Sequence, residues 1–355
     1  MLVDLALVGF GHVGRRFARL LEERRDQLAR DLDLACRVTG IATRTRGAVY
    51  RSEGVDAAAA ARHVEAGGTL SDLPSSIQSA SLAGSRDVIT ALSTSVAPLR
   101  VLVETTTLDI AAAQPARDHV RMALEAGCHV VTANKGPVAF AYRELSALAA
   151  RSGARFFFEG AVMDGVPVFN LVRETMPMVA IEGFRGVVNS TTNHILTALE
   201  DGDEFAPALA HMQAEGIAEA DPSLDVDGWD AAAKAAALAN VFLDAGITPH
   251  DVDRTGIGAG IAPWAREALT RGCRVRLVAS ARRGSRPVVR PEELPQTDIL
   301  AGLRGMANAL ILDTDTLGRV VICQLDGGLT HTAYALLSDM ITVARRVRAD
   351  PGGSR

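Results

Sequence analysis

The densest chemistry in the sequence lies between Gly216 and Lys234, where Glu219, Asp221, Asp225, Asp227 and Asp230 crowd around Pro222. Gly228 marks a helix start, and beyond it Asp230 and Lys234 stand four residues apart, on one face of that helix. Alone, such a pair is a surface ion pair worth roughly a few tenths of a kcal/mol. A second lysine, Lys135, follows Val131, Thr132, Ala133 and Asn134 at the C-terminal end of a strand, where open parallel sheets place their ligands. A lysine beside carboxylates is equipped to give or take a hydroxyl proton if burial and neighbouring cations lower its pKa from ~10.4 toward about 7 to 8. Two lysines at one site are expected to do this to each other.

Gly9, Gly11 and Gly14 form a GxGxxG run between the apolar segment Leu2–Val8 and a helical pattern opening at His12. The first glycine permits the turn, the second lets backbone approach a pyrophosphate, and the third lets helix and strand pack closely. Gly9, Phe10, Gly11, His12, Val13 and Gly14 are therefore candidate cofactor contacts, with the helix N-terminus offering open N–H groups to the phosphates. The second strand ends at Ala42 and runs on as Thr43, Arg44, Thr45, Arg46, with no carboxylate to hold ribose hydroxyls. Arg44 is either a grip for a 2′-phosphate or a solvated loop cation; the first reading favours NADP, with NAD as the second choice. A dinucleotide site beside a lysine–carboxylate proton device points to an oxidoreductase acting on an alcohol or its carbonyl.

Further strands are predicted at residues 38–42, 99–105, 129–132 and 155–158, with helices near 111–126 and 138–152. Strands alternating with helices predict an α/β first domain over residues 1–152, a doubly wound parallel Rossmann sheet. After about residue 177 the texture changes to strands at 179–188, 275–281 and 320–324 with Ala-rich helices at 203–218 and 228–245, an α+β second domain over 153–329. Residues 332–348 are expected to return as a helix to the first domain (about 330–350), leaving 350–355 as a frayed tail. The alanine-biased stretch 57–61 reads as a surface helix or insertion.

The bulk properties fit a small-molecule partner. A 355-residue chain that is 48% hydrophobic is not disordered, and a net charge of -5 gives no general attraction to nucleic acid or an anionic membrane. Cys36, Cys128, Cys273 and Cys323 lack CxxC pairing and read as buried thiols in a reducing compartment. The N-terminus has no basic leader, and the most apolar long stretch, 231–243, carries Lys234 and Asn240, so a cytoplasmic location is expected.

Three stretches taken together, GVxNxTTNxI over 186–195, Asn-Lys-Gly-Pro over 134–137 and DPSxDVxGxDxxxK over 221–234, resemble homoserine dehydrogenase. The likeness runs from Gly9 to about Asp339. It implies a short form without a C-terminal regulatory domain, the NAD(P)-dependent interconversion of L-aspartate 4-semialdehyde and L-homoserine in threonine and methionine biosynthesis, and a homodimer whose second domain serves catalysis and dimerisation. By the same resemblance Lys234 is the proton donor and acceptor, Lys135 lies beside nicotinamide and substrate, Glu219 and Asp230 hold the substrate ammonium and orient Lys234, and Thr105 lies near the cofactor. It further implies a monovalent cation such as sodium on Glu159 and the carbonyls of Val162, Asp164 and Val166, a donor set suited to a hard cation.

The chain departs from the family pattern at Met163 and Asp164 in that loop and at Asp326 in a C-terminal glycine turn. These departures keep one rival in view, a paralogous dehydrogenase for another amino or hydroxy aldehyde; a second, a catalytically silent NADP-binding regulator, is opposed by the presence together of Lys135, Glu219, Asp230 and Lys234. His194 is read as a satisfied structural histidine rather than a site residue, Trp229 as packing and Cys128 as core.

Overall fold

The N-terminal apolar run forms β1 (Leu2–Val8), and the amphipathic pattern after it forms α1 (His12–Glu23) and α2 (Arg25–Leu32). There follow β2 (Ala35–Ala42), β3 (Ala48–Tyr50), α3 (Ala57–Glu65), α4 (Ser85–Ser93), β4 (Leu99–Glu104), α5 (Ala116–Glu125), β5 (His129–Thr132), α6 (Lys135–Ser152) and β6 (Phe156–Phe157). The structure is a computed structural model and describes residues 1–73, 84–214, 222–258 and 260–349. It divides into two units, the first comprising Met1–Pro137, Ala141–Pro167 and Gly328–Arg355, the second Val138–Phe140 and Val168–Gly327.

In the first unit the strand order is β3-β2-β1-β4-β5-β6, parallel except for the short edge strand β3, which pattern reading did not anticipate. Val8 is level with Glu104, and Glu104 with Thr132, so the strand ends that carry the glycine turn and Lys135 are level with each other on either side of β4. Alanines 57, 58, 60 and 61 in α3 are buried, which corrects the expectation of a surface helix: small side chains let α3 lie close against α1.

The second unit continues with α7 (Phe169–Thr175), β7 (Ile181–Val187), α8 (Ser190–Glu200), α9 (Phe205–Ala214), α10 (Ser223–Val226), α11 (Trp229–Phe242), β8 (Asp253–Arg254), α12 (Ile261–Thr270), β9 (Cys273–Arg282), β10 (Val288–Pro295), β11 (Asn308–Thr314) and β12 (Gly318–Gln324). Its sheet has the order β12-β11-β7-β9-β10-β8 and is antiparallel except for the β10/β8 pair. Helices α8, α11 and α12 pack on it. The alanines flanking Lys234 in α11 are buried, which leaves Asp230 and Lys234 as the charged pair of a mostly apolar helix. The helix expected over 203–218 corresponds to α9; residues 215–218 and the expected tail at 350–355 lie outside the described residues.

The closing helix α13 (Leu329–Ala349) belongs to the first unit, where Ala333, Leu336, Met340 and Val343 join a core with Phe17 and Leu21 of α1. All four cysteines are free, but only Cys128 is buried; Cys36 and Cys273 are half-buried, and Cys323 is exposed on the outward face of β12. The expectation of four buried thiols fails there because strand alternation, not side-chain polarity, decides which way residue 323 points. No helix among the described residues is long and apolar enough to cross a membrane.

Candidate functional site

The three glycines of the N-terminal turn have separate duties. Gly9 has φ +88°, and a Cβ there would lie 2.4 Å from the Thr105 carbonyl carbon; a Cβ on Gly14 would lie 2.4 Å from the Gly9 oxygen. Both are demanded by the fold. A Cβ on Gly11 would meet nothing within 4 Å, so the space beside it is open to a ligand. Gly11 precedes α1 without a side-chain cap, and no acidic residue occupies the first turn, the conditions under which helix N–H groups receive a phosphate. This cradle fits a dinucleotide. Phe10 is buried in the core, Val13 packs against it and His12 is exposed, so only the backbone of Phe10 and Val13 is available to a cofactor. The Thr105 hydroxyl donates to the Gly9 carbonyl, bracing the turn from behind.

At the end of β2, Arg46 donates to the carbonyls of Gly67 at 2.6 Å and Gly68 at 3.3 Å and is committed to holding its own turn. Arg44 is exposed and has no hydrogen-bond or ion-pair partner among the described residues. Lys135 is half-buried as the first residue of α6, whose N-cap Asn134 accepts the Gly136 N–H at 2.9 Å.

The loop after β6 carries the expected cation ligands. Glu159 is 2% exposed, and its N–H donates to the buried Asp339 carboxylate at 2.8 Å. No backbone N–H of a described residue donates to the carbonyls of Val162, Asp164 or Val166, and a buried carboxylate with backbone carbonyls is the donor type that suits a monovalent cation. No group of three or more His, Cys, Asp or Glu side chains able to hold a metal occurs among the described residues. The Asp164 carboxylate accepts from the Gly328 N–H and the Thr332 hydroxyl, both at 3.3 Å, and so is engaged at the N-terminus of α13.

In the second unit, the residues after β7 converge on α11. Asn189 caps α8 by accepting the Thr192 N–H at 2.8 Å, while its Nδ2 donates to Asp225 at 2.7 Å and to Asp230 at 2.9 Å. Lys234 Nζ lies 3.1 Å from Asp230 Oδ2 and donates to the Val188 carbonyl at 2.7 Å. Burial, then the charge of Asp230, pushes the Asp225 carboxyl above the usual carboxylate range, against the pull of Asn189, Lys234 and Thr191. Asp230 and Lys234 meet as their spacing implies. Asn189, Asp225 and the Val188 carbonyl join this cluster without any spacing in the sequence that points to it. Asn189 had a detectable signal as an Asx cap three residues before Thr192; its two bonds to residues 36 and 41 positions away had none. Glu219 lies outside the described residues.

Trp229 does pack, its ring 5.4 Å from that of His250 and under the Arg254 guanidinium at 3.8 Å. The reading of His194 as a satisfied histidine is not met: its Nδ1 is buried with no hydrogen-bond partner among the described residues.

The family model described as homoserine dehydrogenase, NAD binding domain, matches residues 9–159, and the one described as homoserine dehydrogenase matches residues 167–341. The chain is 37% identical to the NAD(+)-dependent homoserine dehydrogenase of Pseudomonas canavaninivorans, over 96% of this chain and 95% of that protein. It is 34% identical to the homoserine dehydrogenase of Methanocaldococcus jannaschii, over 96% of this chain and 98% of the relative. Among solved structures, a hyperthermophilic archaeal homoserine dehydrogenase in complex with NADPH superposes with a TM-score of 0.80 at 30% identity, covering 98% of each chain. With both units matched and relatives covered nearly end to end, the chain belongs to the homoserine dehydrogenase family of NAD(P)-dependent oxidoreductases.

Proposed function

We propose that Lys234 exchanges a proton with the substrate oxygen as the chain interconverts L-aspartate 4-semialdehyde and L-homoserine, the reaction of its family. The observation that carries this role is the way Lys234 is held: its Nζ donates to the Val188 carbonyl and is ion-paired with Asp230 at 3.1 Å, and a third ammonium hydrogen has no partner among the described residues. That third hydrogen suits a carbonyl oxygen in the reducing direction; in the oxidising direction the neutral amine receives the hydroxyl proton. Asp230 orients the lysine. Asp225, Asp230 and, in this reading, Glu219 supply negative charge for the substrate ammonium.

The nicotinamide, when bound, supplies or accepts the hydride. The backbone of residues 9–14, Thr105, Arg44 and Lys135 are the groups proposed to hold it. We favour NADP over NAD because Arg44 is exposed and uncommitted beside the end of β2. The archaeal structure carries NADPH, whereas the Pseudomonas canavaninivorans relative is NAD(+)-dependent, so the preference is a property to be measured on this chain. A sodium ion on Glu159 and the carbonyls of Val162, Asp164 and Val166, a homodimeric assembly and a cytoplasmic location complete the reading.

The test is the initial rate at the reduced-nicotinamide absorbance band with L-homoserine and NADP or NAD, with and without sodium. A homoserine-dependent rate, larger with NADP and raised by sodium, is expected. Folded protein that binds NADP and turns over neither cofactor with homoserine would overturn the assignment of substrate.

A further inference from the structure

A buried carboxyl outside the proton-transfer cluster ties the strand ends of the first unit together. Glu104, the last residue of β4, is fully buried, and burial pushes its carboxyl above the usual range while three donors oppose that shift. Its Oε1 accepts the Thr106 N–H at 2.8 Å and the Thr106 hydroxyl; its Oε2 accepts the Thr132 hydroxyl at 2.8 Å. The Thr132 oxygen accepts the Asn134 N–H at 2.9 Å, and Asn134 Nδ2 returns to the Thr106 carbonyl at 3.0 Å. The ring is thus closed from β4 to β5 and back, and its last member, Asn134, caps the helix that begins with Lys135.

Burying a carboxyl is costly, and what the ring gains in return is direction: each of its bonds fixes the place of one group, so it is informative for geometry first. What it specifies is the position of one backbone turn, residues 132–136, relative to the strand whose next residue, Thr105, braces Gly9.

We propose that Glu104 is a positioning residue for the reaction, holding Lys135 in its working place through Thr132 and Asn134. This rests on the reading of Lys135 as a residue of the reaction centre.

The test uses the full chain as E104Q, K135A and the double variant, with kcat/KM for homoserine oxidation, the dissociation constant of reduced cofactor by fluorescence, and thermal unfolding. An amide at position 104 keeps its oxygen on the Thr106 donors only by turning its NH2 toward Thr132, whose hydroxyl must then accept instead of donate, so one arm of the ring is reversed and the hydroxyl hydrogen loses its carboxylate acceptor. E104Q is expected to lower kcat/KM about 10- to 100-fold, as misplacement of a working group does, with cofactor affinity changed less than about threefold. The double variant is expected to be no slower than K135A, because a residue acting through Lys135 has nothing left to position. Losses that multiply in the double variant, or full activity in E104Q, would overturn the proposal. Undiminished turnover in K135A would instead remove Lys135 from the reaction, and the proposal with it. Should E104Q fail to fold, T132V removes the Oε2 arm alone and is held to the same non-additivity.

Discussion

Lys234 Nζ sits 3.1 Å from Asp230 Oδ2, one helical turn earlier in α11, with both side chains only 14% exposed. The pair is not the exposed surface bridge that its spacing alone would suggest. Its second set of partners comes from another element, through the Val188 carbonyl and Asn189. The lysine is thereby aimed as well as charged. Replacing Lys234 by Ala should lower kcat about 10²- to 10⁴-fold, the usual range for losing a general acid–base group. Asp230→Asn should lower it less, because Lys234 keeps its bond to Val188. Steady-state kinetics at saturating homoserine decide this, and a Lys234→Ala enzyme with normal turnover would end its assignment as the proton-transfer group.

Gly11 and Gly14 should respond oppositely to an added methyl. Gly14→Ala drives a Cβ to 2.4 Å from the Gly9 oxygen and should destabilise the fold by about 1–3 kcal/mol, seen in thermal or urea unfolding. Gly11→Ala meets no protein atom within 4 Å and should unfold like the parent chain while binding cofactor at least about tenfold more weakly, ~1.4 kcal/mol. Equal cofactor affinity in the parent and Gly11→Ala would mean that no phosphate approaches this turn.

Arg44→Ala should cut kcat/KM with NADP by about 10- to 100-fold, the worth of a charge-assisted hydrogen bond of ~1.5–3 kcal/mol. The value with NAD should stay within about twofold. Arg46→Ala, by contrast, removes the bonds to Gly67 and Gly68 and should weaken both cofactors together by loosening the turn. A parallel loss of NADP and NAD in Arg44→Ala would show that this arginine does not read a 2′-phosphate.

The acid limb of stability should carry the mark of His129. Burial, aided by Arg155 and Arg100, lowers its imidazole from 6.5 to about 4, and its Nδ1 accepts the Arg155 N–H at 3.0 Å, a bond only the neutral ring can take. Because the folded value is depressed, the unfolded chain binds a proton that the folded chain refuses. Stability is therefore lost as pH falls from 6.5 toward about 4, by at most about 3 kcal/mol for this group at 1.36 kcal/mol per pKa unit. His119 is lowered to about 4, chiefly by burial, and acts in the same sense. Urea unfolding of the parent and of His129→Gln across this window should show a shallower decline in the variant; superimposable slopes would count against the assignment.

Local sequence patterns determine much of this protein. The GxGxxG run after a seven-residue apolar strand, the i, i+4 spacing of Asp230 and Lys234, and the alternation of strands with helices in the first half are short-range, and periodicity reports them directly. The tertiary structure decided what those elements meet. That Asn189 joins Asp225 to Asp230, that Glu104 grips Thr132, and that the alanines of α3 are buried are contacts between elements distant in sequence, selected by packing and by the need to satisfy buried polar groups. The second sheet shows the same limit. Its strands β10 and β11 were not foreseen, because a strand's alternation tells which face is apolar but not which neighbour completes its hydrogen bonds.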